Sequence, residues 1–455
     1  MTGARYVPSR YLSLSHQDDG SLALYCARTG AIGVVPAEDA AVARRALLPA
    51  TVTSGPLEGI FADLETGGFL VPAGTDEAGL VHEAYLQRYT DPSLHLIVLP
   101  TEQCNFRCVY CYESFLRNTM STEIQDGLRK FVARDPALEH LSLDWFGGEP
   151  FVAREVVLEN TRFFKEHCES SGISFTCGTC TNGYLLTPDY ADQVIAAGLT
   201  NFQITLDGVS EEHDKRRLLQ DGGRTFEVIW DNLCYLRSTD YDFDITIRHN
   251  FDPDTIPRLP EFLDMIANGF ASDSRFSLAL HAVGKWGGPN DAALTTLGGR
   301  DTTEALRAGK RLAIERGLQD RLTLQSMQPD GYVCYAANPR SFVIGPEGRV
   351  YKCTVELDYH DRNIVGQLKP DGTMDLDWRK MALWCETDGM EEGKKCTSCY
   401  FAPACHGAVC PKEWMDGPEC GCPPTKHMIK DTLTLICAES LFVRPEPNAV
   451  SACAK

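Results

Sequence analysis

Cys104-Asn105-Phe106-Arg107-Cys108-Val109-Tyr110-Cys111 follows the apolar run LHLIVLP at 94–100 after three residues and precedes a polar segment that leads into a helical pattern. Thiolates at positions 104, 108 and 111 share a tether too short for them to face apart. A loop closing a buried strand is also where a compact metal site can be held. Thiolates are soft ligands and select zinc or iron–sulfur centres over hard cations. Zinc sites pair their Cys as CxxC units or combine Cys with His, which this spacing fits poorly. The bland alternative is a set of unrelated buried thiols, since free Cys packs as a small apolar residue.

Working outward, 455 residues are too many for one ordinary domain and predict two or three. A net charge of −20 argues against a nucleic-acid partner, because such binding depends on neutralising phosphates. The first ten residues lack the apolar core of a signal peptide, and no run of about 18 apolar residues occurs, so we expect a cytoplasmic protein with no membrane partner. In that reducing compartment 19 Cys point to metal ligands rather than disulfides. Besides the first loop, the Cys crowd into 334–437.

Residues 1–90 read as a small separate unit, with strands at 11–14, 22–26 and 31–35 and helices at 37–48 and 56–66. Over 91–320 strand-like runs at 94–100, 141–146, 173–181, 202–207, 243–251 and 276–283 alternate with helix-like runs at 122–135, 154–170, 188–199, 226–238, 256–270 and 303–318. Six β/α units in succession predict an α/β fold with a parallel sheet, open or curled into part of a barrel. Active sites gather at the carboxyl ends of such strands. There lie the Cys loop, Gly147-Gly148-Glu149-Pro150, Thr181-Asn182-Gly183 and Asp207-Gly208. Glycines after a strand let backbone approach a ligand closely, and Glu149 offers a carboxylate to an ammonium group. Residues 321–455 carry a second pattern: Cys334, Cys353, Cys396-x2-Cys399-x5-Cys405-x4-Cys410, then Cys420 and Cys422.

With Tyr110 before its last Cys, the first loop resembles the CxxxCxxC motif of the radical S-adenosylmethionine (SAM) superfamily. Gly147-Gly148-Glu149-Pro150 resembles that family's GGEP element. The resemblance implies a partial (β/α)6 TIM-like barrel in which Cys104, Cys108 and Cys111 hold a [4Fe-4S] cluster with one iron open to SAM. It assigns the SAM amino group to Gly147, Gly148, Glu149 and Pro150, and places Tyr110 beside the cofactor. Thr205 and Arg217 match positions that bring a hydroxyl and a guanidinium to the SAM carboxylate and ribose. Arg248 and Asn250 are further candidates on the fifth strand. An electron donor such as flavodoxin or ferredoxin would drive cleavage of SAM to a 5′-deoxyadenosyl radical, which takes a hydrogen atom from substrate.

The late Cys pattern resembles the SPASM extension of radical SAM peptide maturases and implies one or two auxiliary [4Fe-4S] clusters. Cys396, Cys399, Cys405 and a late Cys would hold one, with Cys422 preferred over Cys420. Cys334, Cys353 and Cys410 would hold the other. Arg340 stands where many relatives carry a further Cys, so this second cluster would have an open iron or borrow Cys385. Residues 1–90 resemble the winged-helix-like domain that recognises a precursor's leader peptide by strand addition, a plain packing cap being the alternative. The implied function is maturation of a ribosomally synthesised precursor peptide through a thioether or carbon-carbon crosslink. Sulfatase-type formylglycine maturation is the alternative among enzymes, and a zinc-stapled adaptor the alternative outside them. Cys26, Cys168, Cys234, Cys437 and Cys453 have no partner at ligand spacing, and Cys177 and Cys180 point to opposite faces of one strand.

Overall fold

The computed structural model describes residues 4–357, 360–386, 389, 394–417 and 421–438. These fall into two compact units: one runs up to Asp91 and adds Leu322–Asn338 and the described residues from Cys385 on, and the other comprises Pro92–Arg321 and Pro339–Trp384. Among the described residues no helix is long and apolar enough to cross a membrane.

The first unit opens with β1 (Arg5–Pro8), β2 (Leu12–His16), β3 (Leu22–Cys26), β4 (Ala31–Val35), α1 (Ala37–Ala46), β5 (Thr53–Ser54), α2 (Ile60–Thr66), β6 (Leu70–Pro72) and α3 (Glu77–Gln87). They form two antiparallel sheets, β5-β1-β6 and β2-β3-β4. The period of two along β3 explains its packing. Leu22, Leu24 and Cys26 face α1 and α2 through Ala40, Ala43, Leu47 and Leu64. Ala23 and Tyr25 face the other way, into a core with Met327, Phe401, Leu433 and Ile436. Residues 1–90 were expected to stand apart. A central strand buried on both faces needs apolar cover on each, and the second cover comes from the far end of the chain.

The second unit continues with β7 (Ser93–Val98), β8 (Phe106–Cys108), α4 (Thr122–Ala133), β9 (His140–Trp145), α5 (Arg154–Ser171), β10 (Ser174–Thr181), α6 (Pro188–Ala196), β11 (Asn201–Thr205), α7 (Ser210–Arg216), β12 (Arg217–Leu219), α8 (Phe226–Arg237), β13 (Asp244–Phe251), α9 (Leu259–Phe270), β14 (Phe276–Ala282) and α10 (Gly299–Ile314). After α11 (Arg321–Ser326) come β15 (Ser341–Ile344), β16 (Arg349–Tyr351), β17 (Ile364–Leu368) and β18 (Met374–Leu376). The ten-stranded sheet has the order β14-β13-β11-β10-β9-β7-β15-β16-β17-β18. It is parallel from β14 to β15 and antiparallel beyond. The six predicted β/α strands are therefore sequential neighbours in the sheet.

The remaining helices are α12 (Trp378–Cys385), α13 (Ala402–Cys405), α14 (Pro411–Asp416), α15 (Pro424–His427) and α16 (Ile429–Ala438). One face of the parallel sheet is apolar and meets α5, where Trp145 Nε1 donates to Thr161 Oγ1 at 2.9 Å. The other face is polar: His95 bridges Asp144 at 2.8 Å and Ser341 at 2.9 Å, and Thr246 bonds Ser277 at 3.1 Å. A polar inner face bounded by loops at the strand ends is suited to binding a polar ligand.

Candidate active site

The site is built where β7 ends and the Cys loop begins. Glu102 and Gln103 fix the loop's entry to its exit. Glu102 accepts hydrogen bonds from the Arg117 guanidinium at 2.8 Å and the Arg117 backbone N–H at 3.0 Å. Gln103 Nε2 donates to the carbonyls of Phe115 at 2.7 Å and Arg117 at 3.1 Å. Cys104, Cys108 and Cys111 thus lie on one tethered ring of backbone.

Inside the ring β8 pairs antiparallel with β12, with Arg217 opposite Cys108. Arg217 Nη1 donates to the Tyr110 hydroxyl at 2.6 Å and lies 3.8 Å from Asp207 Oδ2. The Tyr110 hydroxyl donates to Asp207, whose other oxygen accepts from the Asn250 backbone N–H at 2.8 Å. Asn250 Nδ2 completes the cluster on the Tyr110 hydroxyl at 3.2 Å. Burial would raise the pKa of Asp207, but Arg217, His249 and the Tyr110 bond hold it below the ordinary carboxylate value. Burial likewise opposes the Arg217 cation, and Cys108, Tyr110 and Asp207 more than restore it.

The sequence placed Tyr110 and Arg217 on the cofactor. Here they are bound to each other and to Asp207, with the guanidinium facing the middle Cys. Asp207 was missed as a site residue, because its only signal was an Asp-Gly turn after the fourth strand. Asn250 faces the site as anticipated, whereas Arg248 Nε holds the Asn250 amide at 2.8 Å. Thr205 is buried at the end of β11, in register with Arg248 on β13.

Gly147 and Gly148 make a close approach to the backbone that enters the Cys loop. Gly147 has φ +117°, and a Cβ there would sit 2.3 Å from the Thr101 carbonyl oxygen. At Gly148 it would sit 2.3 Å from the Glu102 oxygen and 2.6 Å from that of Gln103. The Glu149 backbone N–H adds a bond to the Gln103 carbonyl at 3.0 Å. Glu149 is fully buried, and its carboxylate accepts from the Thr181 hydroxyl at 2.7 Å, Asn182 N at 2.7 Å and Phe151 N at 3.0 Å. These bonds tie the end of β10 to the end of β9. Burial raises its pKa, and the same three donors pull it back. Pro150 opens the short 3-10 turn Pro150–Ala153 behind it. Gly148→Ala is expected to cost about 1–3 kcal/mol of folding stability, since backbone must give way. Urea denaturation measures this, and an unchanged midpoint would refute the close approach.

Asp207 rests on His213, whose Nδ1 accepts from the Asp207 backbone N–H at 3.2 Å. The other ring nitrogen therefore carries the proton toward Thr225 Oγ1 at 3.1 Å. Burial first, then Arg217, lowers the His213 pKa to about 3. Its depressed folded value means that the unfolded chain takes up a proton the folded chain refuses. Stability present above about pH 6.5 is lost as pH falls toward 3, at about 1.4 kcal/mol per unit inside that window. His213→Gln should flatten this slope in denaturation series between pH 7 and pH 4, and parallel slopes would contradict the buried neutral imidazole.

All three loop thiols resist ionisation. Burial first, then the Glu149 charge, raises Cys104 to about 12. Burial also raises Cys108, against the pull of Arg217, and Cys111, with Cys108 and Glu113 adding to the effect. Thiols crowded this way lose their protons when a thiophilic metal supplies positive charge, so the donor set fits a thiolate-ligated iron–sulfur cluster.

In the other unit Cys396, Cys399, Cys405 and Cys422 line one cavity with Trp414 and Lys426. Burial raises Cys396, with Cys399 and Cys422 adding and Lys426 opposing, and it raises Cys405 to about 12. Cys420 and Cys453 lie outside the described residues. Cys334 and Cys410 are buried in this unit, whereas Cys353 belongs to the parallel-sheet unit. Arg340 pairs with Asp135 and donates to the Ser93 carbonyl at 2.9 Å, so it ties the starts of β15 and β7. Cys385 is buried, and its carbonyl accepts from Arg88 at 2.8 Å and Tyr89 at 3.1 Å. Cys177 is buried, and Cys180 accepts from Gln203 Nε2 at 3.3 Å.

Comparison with known proteins follows the same lines. Residues 98–266 match the family model of the radical SAM superfamily. The chain is 23% identical over 337 residues to the mycofactocin maturase MftC of Mycobacterium ulcerans (strain Agy99), covering 71% of this chain and 85% of that one. It is 29% identical over 147 residues to the AdoMet-dependent heme synthase of Methanosarcina barkeri (strain Fusaro / DSM 804), covering 32% of this chain and only 39% of that protein's length. Among solved structures, histidine-tagged anSMEcpe with bound AdoMet superposes with a TM-score of 0.58 at 17% identity, over 76% of this chain and 96% of that one. Native anSMEcpe with bound AdoMet and Cp18Cys peptide gives 0.57 at 17% identity, over 77% and 99%. These structural likenesses concern the fold. The match to the radical SAM superfamily thus lies over residues 98–266, the stretch that holds both the Cys loop and Gly147-Gly148-Glu149-Pro150.

Proposed function

We propose that this chain is a radical SAM maturase of a ribosomally synthesised peptide. The observation that carries the reading is the Cys104-Cys108-Cys111 ring at the carboxyl end of β7, backed by Arg217, Tyr110 and Asp207. The match to a mycofactocin maturase over 85% of its length supports a peptide as substrate.

Cys104, Cys108 and Cys111 would hold the [4Fe-4S] cluster to which SAM binds. When bound, cluster and SAM supply the 5′-deoxyadenosyl radical that takes a hydrogen atom from substrate. The chain's own residues bind and orient. Arg217 keeps a cation opposite Cys108, favouring its thiolate form. Glu102 and Gln103 fix the ring, and Gly147, Gly148 and Glu149 brace it against β9 and β10. Cys396, Cys399, Cys405 and Cys422 would hold an auxiliary cluster, and Cys334, Cys353 and Cys410 a second one, in a SPASM-like arrangement over 321–455. Such clusters suit an oxidative product, a thioether or carbon-carbon crosslink, because surplus electrons need an acceptor. A flavodoxin or ferredoxin would supply the reducing electron.

Residues 1–90 would recognise the precursor's leader in winged-helix-like fashion, by strand addition at β4, one of the two edge strands of β2-β3-β4. Deletion is a poor test, because Tyr25 and Tyr11 share a core with Phe401 and Leu433. Hydrogen exchange is better suited. The peptide encoded by a short reading frame beside this gene should slow amide exchange at 31–35. Unchanged exchange there, with the peptide bound, would reduce this region to a packing element.

A further inference from the structure

Among the described residues Lys426 stands beside thiols rather than carboxylates. Its Nζ lies 3.1 Å from Cys422 Sγ, in the cavity that Cys396, Cys399 and Cys405 also line. Among the described residues no Asp or Glu pairs with it. The lysine is anchored through its backbone on both sides: its N–H donates to the Pro423 carbonyl at 3.0 Å, and its carbonyl accepts from the Tyr400 hydroxyl at 2.7 Å. The Tyr400 ring packs on Phe401, which is fully buried. The ammonium is thus directed into the cavity by rigid parts of the unit.

A half-buried ammonium is costly unless negative charge faces it. Four thiolates around a cube of irons provide that charge, and provide more of it once the cube takes up an electron. Resting on the proposed cluster at Cys396, Cys399, Cys405 and Cys422, we propose that Lys426 is that cluster's internal counter-ion and raises its reduction potential. One electron enters the cube and the lysine stays protonated throughout, so no proton need move. Hydrogen bonds to cluster sulfurs and nearby net charge are the protein's usual means of setting such potentials. A raised potential makes this cluster the better acceptor for an electron leaving the substrate.

The test uses the full chain carrying Cys104→Ala, Cys108→Ala, Cys111→Ala and Cys353→Ala, which leaves the cavity's cluster as the EPR signal. It is reconstituted anaerobically and titrated with dithionite through redox mediators. Lys426→Met should load the same iron yet reduce at a more negative midpoint, by about tenfold in the reduction equilibrium, or about 59 mV for one electron. Lys426→Arg should keep the parent midpoint. Should Lys426→Met fail to load iron, Lys426→Gln, which keeps a neutral donor, must show the same negative shift. An unchanged midpoint in either neutral variant overturns the counter-ion role while leaving the cluster standing. If the parent background takes up no iron, the cluster assignment itself falls, and the counter-ion with it.

Discussion

Cys104→Ala, Cys108→Ala and Cys111→Ala are each expected to abolish reductive cleavage of SAM, with 5′-deoxyadenosine falling more than about 100-fold. That exceeds the loss typical of an outer-shell partner, because a ligand itself is gone. The three thiols share one ring of backbone, and neighbouring negative charge raises the pKa of Cys104 and Cys111 beyond the effect of burial. Removing any one leaves too few sulfurs for the cluster to assemble. Cys399→Ala is the informative contrast, since it lies in the other unit and should leave uncoupled SAM cleavage while crosslinked product disappears. Chromatography of 5′-deoxyadenosine beside mass spectrometry of the peptide separates the two outcomes. Formylglycine in place of a crosslink would redirect the reading to sulfatase-type maturation.

Arg217→Met is expected to be among the most destabilising single substitutions in the parallel-sheet unit, at about 3–5 kcal/mol. Asp207 is fully buried and Arg217 nearly so, and the side chains lie 3.8 Å apart. Taking the guanidinium away strands a buried carboxylate, which also loses part of its support when Tyr110 loses a donor. Adding Asp207→Asn should recover part of the loss, because the stranded charge is then removed and the two sites are coupled. Urea denaturation of single and double variants measures this directly. If Arg217 served only as a SAM contact, stability would hold and SAM affinity alone would fall.

The parallel strands were legible because each is a compact apolar or alternating run followed by a helical one. The six strands β7, β9, β10, β11, β13 and β14 fall within a few residues of their expected bounds. β15 to β18 were hidden, since they are only three to five residues long and lie among the late Cys. The unbroken apolar run Leu22–Cys26 is consistent with two buried faces for β3, but nothing along the chain signals that Met327, Phe401, Leu433 and Ile436, all beyond position 320, help to cover Tyr25. At the site, residue types were visible and directions were not. A carboxylate reads the same whether it meets an ammonium or, like Glu149, the N–H groups of the next strand end. Arg217 stood in a run of charges that reads as a solvated surface, and only the β8–β12 pairing brings it opposite Cys108.

EPR of the anaerobically reconstituted, dithionite-reduced protein tests the central assignment most directly, recorded with and without SAM and repeated on Cys104→Ala. The expected result is a [4Fe-4S] signal that changes when SAM is added and is missing from the variant. A protein that takes up zinc but no iron, or a signal indifferent to both SAM and Cys104, would contradict it.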